Sequence, residues 1–257
     1  MSLVVVGSMA FDDIETPFGK SDKIVGGAAT YIAWSASNFS HNIKQISVVG
    51  GDFPQTELND LHARGVDLAG VQVKKDQKSF YWSGKYHMDM NTRDTLDTQL
   101  NVLADFNPVV PESYQDCEFL MLGNLVPAVQ MSVIRQLKQR PRLVVMDTMN
   151  FWMQTALEDL EAVIGQVDVL LVNDSEAREL SGQFSLVKAA RTIMKMGPKY
   201  LIIKKESMEH CCSMRSGYSL RRPCRLKKFL IPLVRETLSR VDSLVILHGP
   251  VISPMTI

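Results

Sequence analysis

The stretch DVLLVNDSEARELSG, Asp168 to Gly182, changes its period in the middle. Asp168 to Asn173 opens with an unbroken apolar run, the pattern of a strand buried on both faces of a parallel sheet. From Ser175 to Leu180 the spacing becomes helical. A strand that turns directly into a helix is the building unit of βαβ folds. Asn173 closes that strand, and Glu176 opens the helix three residues later.

Working outward, the same alternation recurs along the chain. Strands are expected at Leu3 to Ser8, Gln45 to Gly50, Cys117 to Gly123, Arg142 to Asp147, Asp168 to Asn173 and Tyr200 to Lys204. Helical patterns lie between them at Ala28 to Ser37, Gln55 to Arg64, Ala128 to Gln139, Ala156 to Gly165, Ser175 to Leu180 and Leu186 to Met196. The expected fold is therefore α/β, a mostly parallel sheet flanked by helices. Nearly every strand ends at Gly, Asp or Asn, and in open α/β sheets ligands bind at those carboxyl ends. GKSDKIVGG and KSFYWSGKYHMDMNT break the alternation. They read as extended pieces near residues 13–25 and 74–92, forming a small β flap, or lid, that excludes water from a site.

At 257 residues, 46% hydrophobic and with 28 basic against 28 acidic side chains, the chain can bury a full-sized core and carries no net field for nucleic acid or a membrane surface. The balance conceals an asymmetry. Residues 206–257 hold eight Lys and Arg against four Asp and Glu, leaving twenty against twenty-four in residues 1–205. MSLVVVGS reads as a first strand and not a leader, and no apolar run reaches the length of a membrane span. Cys117 alone in the long body fits a reducing cytoplasm.

Several polar positions can carry chemistry. Asp12, in GSMAFDDI, follows the first strand, where a carboxylate can accept hydrogen bonds from vicinal hydroxyls; a turn or helix cap explains it equally well. Gly26 and Gly27, in GGAAT, precede a helix and allow close approach of the backbone to a ligand, or simply a turn. Asp52, in VGGDFP, reads first as a cap for the next helix. Asn173 and Glu176 suit a hydrated Mg²⁺ beside phosphates, and a capping box accounts for the same spacing. Asp147 and Asn150, in DTMNFW, end a further strand. Neither GxxxxGK[ST] nor GxGxxG occurs.

In chain order these pieces, G-S-x-x-x-D, a flap, G-G before a helix, V-G-x-D, D-x-x-N and N-D-x-E, resemble the PfkB or ribokinase-like carbohydrate kinases over residues 1–205. The resemblance implies an ATP- and Mg²⁺-dependent transfer to a sugar or nucleoside. It assigns acceptor binding to Asp12, Gly26 and Gly27, and the phosphate and Mg²⁺ end to Asn173 and Glu176. It also leaves room for a homodimer formed through the flap. Many members have an Asn a few residues past the Gly pair, where this chain has Thr30 and Tyr31, so sugars and nucleosides both stay open. The family's catalytic D-x-x-G-A-G-D-x-F, whose last Asp takes the hydroxyl proton, is missing.

The style of the sequence changes at Lys205, and the genetic code explains how. If one base is lost near the two lysine codons, each codon of the original frame joins the last base of one residue's codon to the first two of the next. Under that displacement KESMEHCC permits G-E-H-G-A-L-L, which continues the strand YLIIKK into a hairpin. RRPCRLKK permits P-A-L-P-V-E-E, and FLIPLVRETLSRVDS, Phe229 to Ser243, permits F-D-P-T-G-A-G-D-T-F-A-G-G-F. The absent catalytic motif is there. Residues 206–257 are thus expected to be an out-of-frame, atypical basic tail in which the last part of the fold is missing or altered. Competing readings of the tail are weaker: Cys211, Cys212 and Cys224 lack zinc spacing, one basic run is no nucleic-acid module, and FLIPLVRETLSRVDSLVIL can form an amphipathic helix. The function expected is a PfkB-type kinase, inactive as written, or else a non-catalytic sugar- or nucleoside-binding remnant. Nucleotide sequencing across the Lys204 to Glu206 codons tests this: one restored base should bring GEHGALL and DPTGAGD into a single frame, and confirmation of the tail as written would remove the kinase claim for this chain.

Overall fold

The computed structural model describes residues 2–88, 90 and 93–205, and the backbone of two short strands beyond them. By contact, residues 1–142 form one compact unit and a second begins at Leu143. The expectation that residues 206–257 are an out-of-frame tail falls, apart from those two strands, outside the described residues.

In the first unit the elements run β1 (Leu3–Val6), β2 (Ala10–Thr16), β3 (Gly19–Gly26), α1 (Ala28–Ser37), β4 (Ile43–Gly50), α2 (Gln55–Ala63), β5 (Val66–Lys74), β6 (Phe80–Tyr86), β7 (Arg93–Gln99), β8 (Phe119–Leu122) and α3 (Pro127–Gln136). β1 lies between β8 and β4, and β4 pairs onward with β5, all parallel. Val4, Val5 and Val6 are wholly buried, as are Leu120, Met121 and Leu122. Cover on both faces explains why these central strands read as continuous apolar runs. β5 is different: its buried and exposed positions alternate, and Asp67, Gly70 and Gln72 interrupt the apolar pattern. No such run announced it.

The second sheet of this unit has the order β3-β2-β6-β7. β2 pairs antiparallel with β3 and parallel with β6, which pairs antiparallel with β7. This is the flap. Asp12 and Asp13 sit inside β2, not at a turn or helix cap. Acidic residues have poor strand propensity, so pairing on both sides overrides local preference here.

Elements of the second unit are β9 (Leu143–Asp147), α4 (Asn150–Thr155), α5 (Leu157–Ile164), β10 (Val169–Asn173), α6 (Asp174–Ser181), α7 (Leu186–Met194), β11 (Tyr200–Lys205), β12 (Cys211–Cys212) and β13 (Ser243–His248). β10 pairs parallel with β9 and β11, and β13 runs antiparallel to β11 with β12 beside it. Leu170, Leu171 and Val172 have no exposed surface. At roughly 1.5–3 kcal/mol for each fully buried aliphatic side chain, such strands outweigh weak local signals nearby. The expected α/β class, a mostly parallel arrangement flanked by helices with a small β flap, is the fold observed. No described helix is long and apolar enough to cross a membrane.

α1 starts without a side-chain cap of its own. Ser8, just past β1, supplies one: its Oγ accepts from Ala28 N at 3.2 Å and its carbonyl from Ala29 N at 2.9 Å. That satisfies first-turn amides that would otherwise lack partners. The approach depends on Gly27, whose φ is +93° and whose position leaves 2.4 Å between an added Cβ and Ser8 O. Gly27→Ala should therefore destabilise the protein by roughly 1–3 kcal/mol. Urea denaturation should show a clear fall in the midpoint, while Gly165→Ala, whose nearest neighbour would be 3.5 Å away, leaves it within about 0.5 kcal/mol.

Candidate active site

Asp12, Gly26 and Gly27 come together where β2 leaves β1 and β3 delivers the chain into α1. Ala10 pairs with Gly26 and Asp12 with Ile24. A Cβ on Gly26 would fall 2.0 Å from Asp12 Oδ2 and 2.5 Å from its Cγ. The half-buried carboxylate thus fills the space that the bare Gly26 backbone leaves open. Thr30, where a family Asn is common, gives its hydroxyl to Gly26 O at 2.8 Å and so shapes the turn. Tyr31 is exposed, and its hydroxyl reaches Val25 O at 3.4 Å.

Asp13 has another task. Lys23 N donates to its carboxylate, the Tyr81 hydroxyl does likewise, and together they hold its pKa below the ordinary carboxylate range. The same bond raises the Tyr81 pKa. Of the two adjacent acids, one braces the flap and the other lies on the glycine turn. Sequence alone did not separate them.

Asp52 is a correction. α2 begins after Pro54 with no side-chain cap. Asp52 Oδ1 instead accepts from Ser79 N at 2.7 Å and Ser79 Oγ at 2.8 Å. Ser79 Oγ accepts from Gly50 N at 2.9 Å, and Ser79 O accepts from Asn101 Nδ2 at 2.8 Å. The acid is a latch between the end of β4 and the start of β6, a long-range role that local spacing does not reveal.

In the second unit Asn173 and Glu176 form a complete capping box. Glu176 N donates to Asn173 Oδ1 and Asn173 N to Glu176 Oε2, each at 2.7 Å. Ser175 Oγ also donates to Asn173 Oδ1 at 2.7 Å. Glu176 is buried. The cap reading therefore holds for the free protein. Beside it lies a pair the sequence did not single out: Lys204 Nζ meets Asp147 Oδ1 at 3.1 Å, with only 16% and 17% of the two side chains exposed. Asn173 and Lys204 are partners in register on β10 and β11, and Asp147 partners Leu171. A lysine ending an apolar strand becomes informative only after these strands are aligned. Asn150 Nδ2 donates to Glu179, which also accepts from Gln154 at 2.9 Å.

A parallel α/β fold with a β flap, an acid laid on a Gly-Gly turn and polar residues ending successive strands defines a ribokinase-like protein. A family model described as pfkB family carbohydrate kinase matches residues 2–209, and the chain belongs to that family. It is 25% identical over 207 residues to the cytidine kinase of Thermococcus kodakarensis, a match spanning 79% of this chain and 72% of that protein. The Burkholderia thailandensis nucleoside kinase in complex with inosine is similar in structure, with a TM-score of 0.68, 17% identity and coverage of 93% of this chain and 83% of that one. A ribokinase from Cryptococcus neoformans var. grubii serotype A in complex with ADP gives 0.67, 15%, 88% and 80%. At these identities the solved structures speak to the fold.

Removing the reciprocal cap has a defined cost. Asn173→Ala should lower stability by about 1 kcal/mol, within 0.5–2, and Asn173→Asp should recover most of it. Thermal unfolding of the three proteins side by side measures the difference; equal stability of the Ala variant would show that the box contributes nothing.

Proposed function

We propose that the chain derives from a PfkB-type kinase that transfers the γ-phosphoryl group of ATP to a hydroxyl of a nucleoside or sugar, and that in the present reading frame it binds such a molecule without turning it over. The observation carrying this reading is the half-buried Asp12 carboxylate seated in the space that Gly26 leaves open, where the flap leaves β1 and an acid can accept from two neighbouring hydroxyls. The cytidine kinase relative and the inosine complex of a structural neighbour favour a nucleoside, and the ADP complex of another favours ATP.

In the transfer, the acceptor oxygen bonds to the γ-phosphorus as the bond to the β–γ bridging oxygen breaks, and ADP leaves with that electron pair. The acceptor proton needs a base. The family's base is the last Asp of GAGD, which this frame does not encode. Asp12 orients the hydroxyls, and the flap excludes water from the transferring group. Lys204, held by Asp147, places a positive charge at the carboxyl end of β11. The pair is only partly buried and lies at the carboxyl ends of parallel strands, where ligands of such sheets bind, which favours a ligand-facing role for it.

Asn173 Oδ1 already takes two donors and Glu176 Oε2 one, and no cluster of three or more His, Cys, Asp or Glu suited to a metal exists among the described residues. Asn173 and Glu176 thus fit Mg²⁺ that keeps its waters, held through them and through phosphate oxygens. When bound it would neutralise phosphate charge. A soluble, cytoplasmic protein that pairs through its flap completes the reading, supported by the exposed β7 edge strand.

The test compares this chain with a version in which one base is restored after Lys204, assayed for ATP-dependent phosphorylation of cytidine, adenosine, inosine and ribose. The restored protein should phosphorylate at least one of them, and the present chain should be slower by a factor of roughly 10²–10⁴ or more, the usual contribution of a general base. Equal turnover by the two, or a restored protein that neither binds nor phosphorylates any acceptor, would contradict the proposal.

A further inference from the structure

Strand register sorts the side chains of the flap onto two unlike faces. β2 and β6 pair as Phe11 with Tyr81, Asp12 with Trp82, Asp13 with Ser83, Ile14 with Gly84 and Glu15 with Lys85. Residues in register on neighbouring strands share a face, and successive residues alternate. One face carries Asp13, Tyr81, Ser83 and the Glu15–Lys85 ion pair, 2.6 Å long. Phe11 shares this face and is buried against Phe53, so the face is apolar where the flap leaves β1 and polar beyond it. The other carries Ile14, Gly84, Trp82 and Ile24 around Asp12, and it is apolar at these paired positions apart from that acid.

Trp82 stands next to Asp12 in the register and is held in one orientation. A Cβ on Gly84 would lie 2.1 Å from Trp82 Cη2 and 2.3 Å from Cζ2, so the indole occupies the space that the glycine leaves open. Its Nε1 donates to Thr95 Oγ1 on β7 at 3.3 Å. The ring is nevertheless only half-buried. A core tryptophan would be enclosed, and a solvated one would not need a glycine beneath it or a tether across the sheet. An aromatic surface fixed on one side and open on the other is what flat heteroaromatic rings stack on.

We propose that Trp82 is a specificity-determining residue of the acceptor site, its indole stacking on the base of a nucleoside whose ribose hydroxyls hydrogen-bond to Asp12. This rests on the acceptor reading given above and narrows it from sugars in general to nucleosides. A free pentose satisfies Asp12 but brings no aromatic ring to the indole, so the two residues divide recognition between sugar and base.

Calorimetric titration of the full chain with cytidine, adenosine and ribose, in the parent, Trp82→Ala, Trp82→Phe and Asp12→Asn forms, separates the two claims. Expected for Trp82→Ala is at least a tenfold loss of nucleoside affinity with ribose affinity unchanged, the range seen when a base loses its stacking partner. Trp82→Phe keeps a ring and should recover most of the nucleoside affinity, which also shows that the flap still folds. Asp12→Asn should weaken ribose and nucleosides together. If Trp82→Ala binds nucleosides like the parent, or loses ribose equally, the Trp82 assignment is overturned while the role of Asp12 stands. The assignment also falls if the substitution splits a dimer in sedimentation without changing nucleoside affinity, since Trp82 is then a subunit contact. Failure of the parent chain to bind any of the three compounds overturns both claims.

Discussion

Three segments of the first unit meet within bonding distance at Gly26 and Gly27, and the absence of two side chains makes that meeting possible. The Asp12 carboxylate occupies the place of one missing Cβ, and the Ser8 carbonyl crowds the other. Ser8 also takes the first amides of α1, so the end of β1, the start of the flap and the start of a helix are fixed by the same contact. Folding and the proposed recognition share these atoms. A larger residue at either position would move the acid, the helix or both.

The flap is braced outward from that point. Asp12 and Asp13 are adjacent in sequence and alternate across the sheet, which sends one carboxylate to the glycine turn and the other to Lys23 and Tyr81. Asp52 secures the other entry to the flap through Ser79. Asp13 thus braces the flap internally, and Asp52 ties the start of β6 to the end of β4. Cys117 illustrates the opposite case of a reactive type made inert: burial raises its thiol pKa to about 11.

Much of this architecture is legible in the amino-acid sequence alone. Central strands such as Val169–Asn173 stand out because burial on both faces demands unbroken apolar sequence, and α1 is readable because Gly-Gly stops a strand just before a helical pattern. β5 is not, since its alternating exposure and polar insertions spread the signal. β2 escapes detection as a strand because two acids in succession look like a turn until the pairing with β3 and β6 is known. Asp52 and Lys204 share one reason for being misjudged or overlooked: their partners, Ser79 and Asp147, lie 27 and 57 residues away in sequence. Local spacing finds caps and turns. It does not find ties between strands.

The catalytic motif differs again: on the proposal of a lost base, its trace lies in codons and not in contacts. The sequence after Lys205 departs from the pattern of the body, and on the proposal of one lost base its codons would permit DPTGAGD, the motif that the frame as written lacks. The central claim, that Asp12 over Gly26 is an acceptor subsite, can be settled apart from that question by a crystal structure of the chain grown with a nucleoside. The account predicts two ribose hydroxyls within about 3.2 Å of the Asp12 carboxylate oxygens, directly above Gly26. A nucleoside bound elsewhere, or an Asp12 turned away from it, would contradict the account.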